Sequence, residues 1–160
     1  MTTVVLELSL IEAAHLTDLV EQFAALVGDG SHADPAVARL TPDAYTDDDD
    51  AAREFRELTE SDLLARRQVD AEVVLDSLRP GGDRLSPDDI DPALAAATVA
   101  VVLDPGQTGA WLRTLAALRL VLASRLGIEH ESDQEVDDPR FGVYEWLGYR
   151  LDGLVRAVDG

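Results

Sequence analysis

The sequence contains no cysteine and no lysine, and only 5% of its residues are aromatic. Without cysteine these residues form no disulfide, zinc knuckle or iron–sulfur site, and they offer no thiol nucleophile. Without lysine they lack the charged residue of a nucleotide-binding P-loop. No apolar run approaches the roughly 18 residues of a membrane span, and no signal peptide opens the chain. We therefore expect a soluble, cytoplasmic protein.

Positive charge is also scarce. The chain has 32 acidic and 13 basic residues, all of the basic ones arginine, for a net charge of −19. Nucleic acid and anionic membrane surfaces repel such a chain unless its arginines gather on one face. The nearest approach to a cluster is Arg66 and Arg67, which lie among acidic residues. We expect no direct DNA binding and no membrane binding, and a protein partner with a basic surface.

Hydrophobic residues make up 46% of the 160 positions, which is enough for one ordinary core. We therefore expect residues 1–160 to form a single domain. The spacing of the apolar residues predicts a mainly α fold, with about five helices in one bundle-like domain and a small two-stranded β element. Because two strands alone are marginally stable in water, the strands should pair with each other and lie on the helices.

The first elements are predicted by local patterns near the N-terminus. Residues 3–9 have strand propensity and partial alternation. Ser9 and Glu12 match a capping box, and apolar residues at helical spacing follow them. The pattern predicts a helix over 10–27 that ends at Gly28 in a left-handed C-cap.

The next part of the chain is richer in turn residues and acids. Residues 28–46 predict a loop, because glycine, proline, serine and aspartate dominate there. The run Asp47–Asp50 suits the positive end of a helix dipole. An apolar pattern follows the run, and Thr59 or Ser61 could start a second helix that ends near Arg79.

The C-terminal half predicts a strand and two helices. Residues 98–103 are a continuous apolar run of strand length. Asp104 begins a helix with a capping pattern, and Gly127 ends it. Residues 128–142 are acidic and predict a loop, after which an apolar stripe indicates a last helix that reaches Val158.

Residue types that carry chemistry are present, but their spacing favours structural roles. His15, His32 and His130 show no metal-ligand spacing. The run Asp47–Asp50 lacks the glycine and the terminal glutamate of a calcium loop. The glycines within Gly106–Gly109 suit a capped helix start better than a phosphate site. We therefore predict no catalytic residues, no metal and no cofactor, and a protein that is not an enzyme.

Four residues of the last two long helices are candidates for contacts with a partner. They are Arg113, Arg119, Trp146 and Tyr149. Arginine and aromatic residues are enriched in protein interfaces. The alternative is structural, because an arginine at a core margin buries its stem or forms an ion pair, and helical spacing also suits aromatic residues in a core.

Three blocks, taken in order, resemble a known family: Arg39–Tyr45, Ala110–Leu122 and Tyr144–Leu147. The chain is similar over nearly its whole length to an uncharacterised actinobacterial family, classed as a domain of unknown function. The family is labelled AosR-like, for oxidative stress regulator, and is often encoded near the Clp adaptor ClpS. The matching motifs are structural, so they indicate kinship more than activity.

The resemblance implies a non-catalytic regulator that works with RNA polymerase and a sigma factor and senses oxidation through a cysteine pair. This sequence departs from that pattern in two places. It has no cysteine, so thiol sensing does not carry over. It also has Ala116 and Ala117 where the family pattern leads us to expect Asn-Asp, which removes a polar partner of Arg119.

We therefore expect a regulatory or protein-interaction module without catalysis, with transcription machinery as its first partner. Three alternatives stay open. An accessory or adaptor factor in Clp-linked proteolysis would bind ClpS or the Clp ATPase. A structural homo-oligomer would self-associate. An enzyme with a carboxylate site would gather two or more acids with displaced pKa values in one pocket.

Overall fold

The computed structural model describes residues 3–29, 35–40, 50–79, 82–127 and 139–159. Within these ranges the chain forms two strands, five α-helices and two short 3-10 helices. In chain order the strands and α-helices are β1 Val4–Ser9, α1 Leu10–Asp29, α2 Pro35–Leu40, α3 Asp50–Ser77, β2 Thr98–Leu103, α4 Pro105–Leu126 and α5 Pro139–Asp159. The predicted mainly α class, with about five helices and a small β element, is confirmed.

The two strands pair with each other, as predicted. They are antiparallel, with Val4 opposite Leu103 and Ser9 opposite Thr98. Because side chains alternate between the faces of a strand, one face of this sheet lies on the core while Val5 is exposed on the outer face.

Helix α4 lies at the centre of the fold and packs against α2, α3 and α5. Its Trp111 is fully buried, and the indole Nε1 donates a hydrogen bond to Oγ of Ser77 at 2.8 Å. Leucines from both strands and all five α-helices complete the core. The most completely buried of these leucines are Leu8, Leu16, Leu78, Leu103, Leu115, Leu147 and Leu154.

Both predicted capping boxes form. In α4 the Asp104 carboxylate accepts from the amide of Gln107 at 2.7 Å, and the Gln107 side chain accepts from the amide of Asp104 at 2.9 Å. In α1 the Ser9 hydroxyl accepts from the amide of Glu12 at 3.2 Å. Gly127 ends α4 with a φ of 71°, the left-handed conformation that glycine adopts at little cost.

Gly28 does not end α1, and the prediction of a left-handed cap there is wrong. The helix continues through Gly28 to Asp29. A Cβ atom at Gly28 would lie 2.7 Å from Nε2 of Gln68 on α3. A side chain at position 28 would therefore have to displace the terminal amide of Gln68.

The loop predicted over 28–46 contains helix α2. Pro35 occupies its first turn, where a missing amide hydrogen costs nothing. Ala36, Val37 and Leu40 are all buried, so tertiary packing stabilises a segment too short for periodicity to reveal. Residues 30–34 and 41–49, including Asp47–Asp49 of the acidic run, lie outside the described residues.

The loop predicted over 128–142 ends earlier than expected. Helix α5 begins at Pro139, because Phe141 is buried in a small cluster with Ala123 of α4. Residues 128–138 lie outside the described part of the chain.

The two helices predicted between Asp50 and Arg79 are one helix, α3. No proline or glycine interrupts the stretch. Thr59 and Ser61 lie inside the helix and therefore do not cap a new one. Leu58, which belongs to the apolar pattern that follows the acidic run, is exposed. Among the helices described, none combines the length and the apolar character that crossing a bilayer requires.

Candidate interaction surface

Helix α5 is held against α1 and β1 by polar side chains around Glu12. The Oε2 atom of Glu12 accepts hydrogen bonds from Trp146 Nε1 at 2.8 Å and from Arg150 Nε at 3.2 Å. Arg150 Nη1 also donates to the carbonyl oxygen of Glu7 at 3.2 Å. The other carboxylate oxygen accepts from the amide of Ser9 at 3.3 Å. Glu12 therefore caps α1 and anchors α5 at the same time.

The Glu12 carboxylate is stabilised in its ionised form. Burial raises the pKa of Glu12. Hydrogen bonds from Arg150, Trp146 and the Ser9 amide, together with the positive charge of Arg150, lower the pKa by more than burial raises it. The net pKa lies below the ordinary value. The ion pair is therefore intact at neutral pH.

Trp146 is half-buried and faces α1, so its indole N–H is already occupied by Glu12. It lines one side of a groove of about 450 Å³ between α1 and α5. Ile11, Leu19 and Val143 make the groove apolar, and His15 is exposed beside it. The structure places Trp146 at an internal contact with one exposed edge.

Arg119 lies at the contact of α4 with α5. Its guanidinium carbon is 4.1 Å from the ring centroid of Tyr144, a cation–π distance. Its Nε atom is buried and makes no hydrogen bond with any described residue. Gly148 leaves space for it, because a Cβ there would lie 2.9 Å from that Nε. The Arg119 side chain is packed between α4 and α5, with only part of it in contact with solvent.

Arg113 joins α4 to α3. Its Nε and Nη2 atoms donate to the two carboxylate oxygens of Asp70 at 2.8 and 3.0 Å. These hydrogen bonds, with the charge of Asp70, raise the pKa of Arg113 despite partial burial. The paired geometry fixes the position of the guanidinium, and the hydrogen bonds to Asp70 use two of its five N–H donors.

Tyr149 is different, because 71% of it is exposed. It stands between two shallow grooves. One, of about 580 Å³, is lined by Arg119, Tyr144 and Val155, and the other, of about 220 Å³, reaches Val5 on β1. Of the four predicted contact residues, Tyr149 is thus the most available to a partner.

Apolar side chains surround Tyr149 on the protein surface. Eight large apolar side chains are exposed in the described part of the chain. Five of them lie on α5 or on the outer face of the sheet. Val5 and Val155 each line a groove together with Tyr149, and Val102 is opposite Val5; we call these four residues, Val5, Val102, Tyr149 and Val155, the Tyr149 surface. Val5 and Val102 are opposite each other in the strand register, so their side chains form a cross-strand apolar pair on the outer face of the sheet.

The chain as a whole is strongly negative, and both arginines and acids lie beside the Tyr149 surface. Five arginines of the described chain already pair with carboxylates. These pairs are Arg66–Asp62, Arg84 with Asp18 and Glu21, Arg113–Asp70, Arg150–Glu12 and Arg156–Asp152. Each pair cancels one positive charge, while the excess of acids over arginines stays on the chain. The described residues include no group of three or more His, Asp or Glu side chains placed to hold a metal ion.

Sequence reasoning missed Glu12 and Arg150 as a pair, and no local signal could have revealed a contact across 138 positions. It also missed Val5 and Val102. Their signal was present, because both strands carry apolar residues on consecutive positions, which puts apolar side chains on both faces of the sheet. Arg113, Arg119, Trp146 and Tyr149 remain predictions as partner contacts.

Comparison with known proteins gives a family and distant relatives. The family model described as "Domain of unknown function (DUF2017)" matches residues 1–158. Proteins named "Oxidative stress regulator AosR" from Mycobacterium bovis and Mycobacterium tuberculosis are 26% identical over 145 residues, which covers 79% of this chain. The match spans 59% of the length of each of these relatives. No solved structure matches.

Proposed function

The chain belongs to the DUF2017 family, and from this membership and the Tyr149 surface we propose a regulatory module that acts by binding another protein, without catalysis of its own. The similarity to proteins named oxidative stress regulators supports the regulatory part. Transcription machinery is the first partner that we propose, because regulators of a stress response commonly act there. A cytoplasmic location follows from that partner and is part of the proposal.

The observation that carries the proposal is the exposure of the Tyr149 surface. Of Tyr149, 71% is exposed, and the exposed Val5 and Val155 line the two grooves beside it, so apolar surface is left in contact with water at this place. Tyrosine is also a residue type that often dominates binding energy, because it buries a large ring and keeps a polar end. The Tyr149 surface therefore has the composition of an interface centre.

Charge specifies the kind of partner. The net charge of −19 makes the chain as a whole attractive to a positively charged partner. A partner with a basic rim around an apolar centre would match the Tyr149 surface. DNA does not fit this description. Because these residues contain no cysteine, any response to oxidation would depend on chemistry other than a thiol pair in this chain.

The test is direct binding to purified RNA polymerase and sigma factors from the native host, measured by biolayer interferometry at 50, 150 and 300 mM salt. We expect binding that weakens as salt rises, because screening reduces the attraction between charged surfaces. Tyr149→Ala should weaken it about tenfold or more. Val69→Ala is the matched control, because Val69 is a similarly exposed apolar residue on α3, outside the Tyr149 surface.

Two further measurements separate this proposal from its alternatives. Immobilised ClpS and Clp ATPase, tested in the same format, address the adaptor function. Binding to them and not to polymerase would replace the transcription partner. Light scattering over a range of concentrations addresses self-association. No binding to polymerase or sigma factors at tens of micromolar, or binding that is insensitive to Tyr149→Ala, would contradict the proposal.

A further inference from the structure

The two edges of the sheet differ in how their main-chain groups are used. On β1, the carbonyl oxygen of Glu7 accepts from Arg150 and the amide of Ser9 donates to Glu12. The main chain at Glu7 and Ser9 therefore points away from β2. In an antiparallel pair such residues alternate with those that bond across the ladder. It follows that Val4, Leu6 and Leu8 make the hydrogen bonds to β2, and that Arg150 and Glu12 occupy the outer edge of β1.

The strand register shows which residues of β2 bond to β1 and which point to the opposite edge. The partners of Val4, Leu6 and Leu8 are Leu103, Val101 and Val99, so these three bond to β1. The main-chain groups of Thr98, Ala100 and Val102 must then point to the opposite edge. Within the described residues these groups have no hydrogen-bond partner, and all three residues are exposed. Because a buried unpaired amide is costly, these amides face solvent.

This edge also lacks the features that usually prevent strands from pairing with other chains. Proteins protect an exposed edge with a charge, a proline or a bulge. Residues 98–103 contain no charged residue and no proline, and their register with β1 is continuous over six pairs. An unprotected edge beside an exposed apolar face is the arrangement that accepts an added strand.

We propose that the open edge of β2 binds an extended basic segment of a protein partner as a third strand of the sheet. The proposal rests on the proposed function, since it assigns to that partner a specific mode of binding. Main-chain bonds to Ala100 and Val102 supply the affinity, and side chains on the outer face supply the selectivity.

The outer face of the sheet explains why the segment is basic. Glu7 is opposite Ala100, so its carboxylate stands on the outer face beside a small methyl group. Neighbouring strands are about 4.8 Å apart, which puts a third strand about 10 Å from β1. An arginine beside Ala100 would cross the alanine and reach the Glu7 carboxylate. An apolar residue beside Val102 would extend the pair that Val102 forms with Val5.

A second copy of the chain suits this edge less well. Two chains that each carry a net charge of −19 repel one another. A single pair of six-residue strands also buries far less than the roughly 1,200 Å² of a standard stable interface. A basic peptide gains from the same charge that opposes a dimer.

Hydrogen exchange followed by NMR on the whole chain tests the proposal. The probe is a capped heptapeptide of sequence Thr-Val-Thr-Arg-Thr-Val-Thr, whose arginine and two valines lie on one face of a strand, and its control has glutamate in place of the arginine. In the free chain the amides of Val99, Val101 and Leu103 should be protected, while those of Ala100 and Val102 exchange fast. The arginine peptide should slow exchange at Ala100 and Val102 at least tenfold, and the glutamate peptide should not.

Variants test the two parts of the site separately. Glu7→Gln should weaken binding of the arginine peptide about threefold to fivefold and reduce its salt dependence. Glu72→Gln, which removes an exposed carboxylate from α3, is the matched control. Ala100→Pro should abolish binding because it removes an amide from the open edge only. The exchange pattern of the unaltered chain keeps the proposal testable if that variant does not fold.

Specific results would overturn the inference. Slow exchange of Ala100 and Val102 in a free monomer would mean that the edge is closed. The same protection in a dimer that forms without peptide would assign the edge to a second copy. Binding of polymerase through the Tyr149 surface without protection at Ala100 and Val102 would overturn the edge site and leave the proposed function intact. Protection by the peptide, with no binding to polymerase, would support the edge site and overturn only the proposed partner.

Discussion

Replacing Glu12 with glutamine tests whether a single carboxylate holds α5 in place. Glutamine keeps the volume of the side chain and is itself a capping-box residue, so α1 should stay capped. The change leaves the guanidinium of Arg150 without its carboxylate partner. The variant therefore isolates the link between α1 and α5.

The size of the effect follows from the exposure of the pair. Hydrogen bonds to charged groups contribute about 1.5–3 kcal/mol, and breaking a fully buried pair costs about 3–5 kcal/mol. The side chains of Arg150 and Glu12 are 22% and 28% exposed, so water can replace part of the lost interaction. We expect Glu12→Gln to lower the free energy of unfolding by about 2 kcal/mol.

Urea denaturation at pH 7 measures this change, provided that the slope m stays constant. Asp152→Asn is the control on the same helix, because it breaks an ion pair with Arg156 whose side chains are 80% and 60% exposed. That exposed pair should contribute no more than about 0.5 kcal/mol. If Glu12→Gln costs as little as Asp152→Asn, the ion pair does not anchor α5 and our reasoning is wrong.

The pH dependence gives a second test of the same carboxylate. Since the folded pKa of Glu12 lies below its ordinary value, the ionised form stabilises the folded chain. This contribution is complete above the ordinary pKa of glutamate and is lost as pH falls through the folded pKa. The stability difference between the unaltered chain and Glu12→Gln should therefore shrink as pH falls from 6 towards 3. A difference that is constant over this range would contradict the assignment.

Two other predictions use urea denaturation in the same way. Gly153→Ala should raise the free energy of unfolding by about 0.5–1 kcal/mol, because its Cβ meets no atom within 4 Å and alanine favours helix. Gly148→Ala should not raise the free energy of unfolding, because its Cβ would lie 2.9 Å from the buried Nε of Arg119. Equal stabilisation by Gly153→Ala and Gly148→Ala would refute this close contact. Ser77→Ala should cost about 1–2 kcal/mol, because the buried indole N–H of Trp111 loses its acceptor, and a cost near zero would show that this hydrogen bond contributes nothing.

Local patterns predicted the elements that local interactions decide. The Ser9 and Asp104 caps and the left-handed Gly127 all depend on residues within four positions of one another, and all form as expected. The first strand was recognisable from β-propensity and the second from its continuous apolar run, and their pairing was expected because two strands alone are marginally stable in water.

Errors arose where packing between distant segments decides the structure. Gly28 is the residue type of a helix end, but α1 continues through it and packs its backbone beside the Gln68 side chain of another helix. Helix α2 is only six residues long and is stabilised by the burial of Val37 and Leu40. The Glu12–Arg150 pair joins residues 138 positions apart. Sequence periodicity carries no information about such contacts, so the anchored position of α5 could not be predicted.

The Tyr149 surface and the open edge of β2 meet at Val102. The side chain of Val102 belongs to the surface, and its main chain belongs to the edge. Arg150 bonds both to Glu12 and to the carbonyl of Glu7, so α5 and β1 are tied to one another at this point. A partner strand beside β2 would thus start next to a surface whose position is already fixed. One partner that covers both would gain main-chain bonds and apolar contact together, and loss of the Glu12 anchor should weaken both contributions.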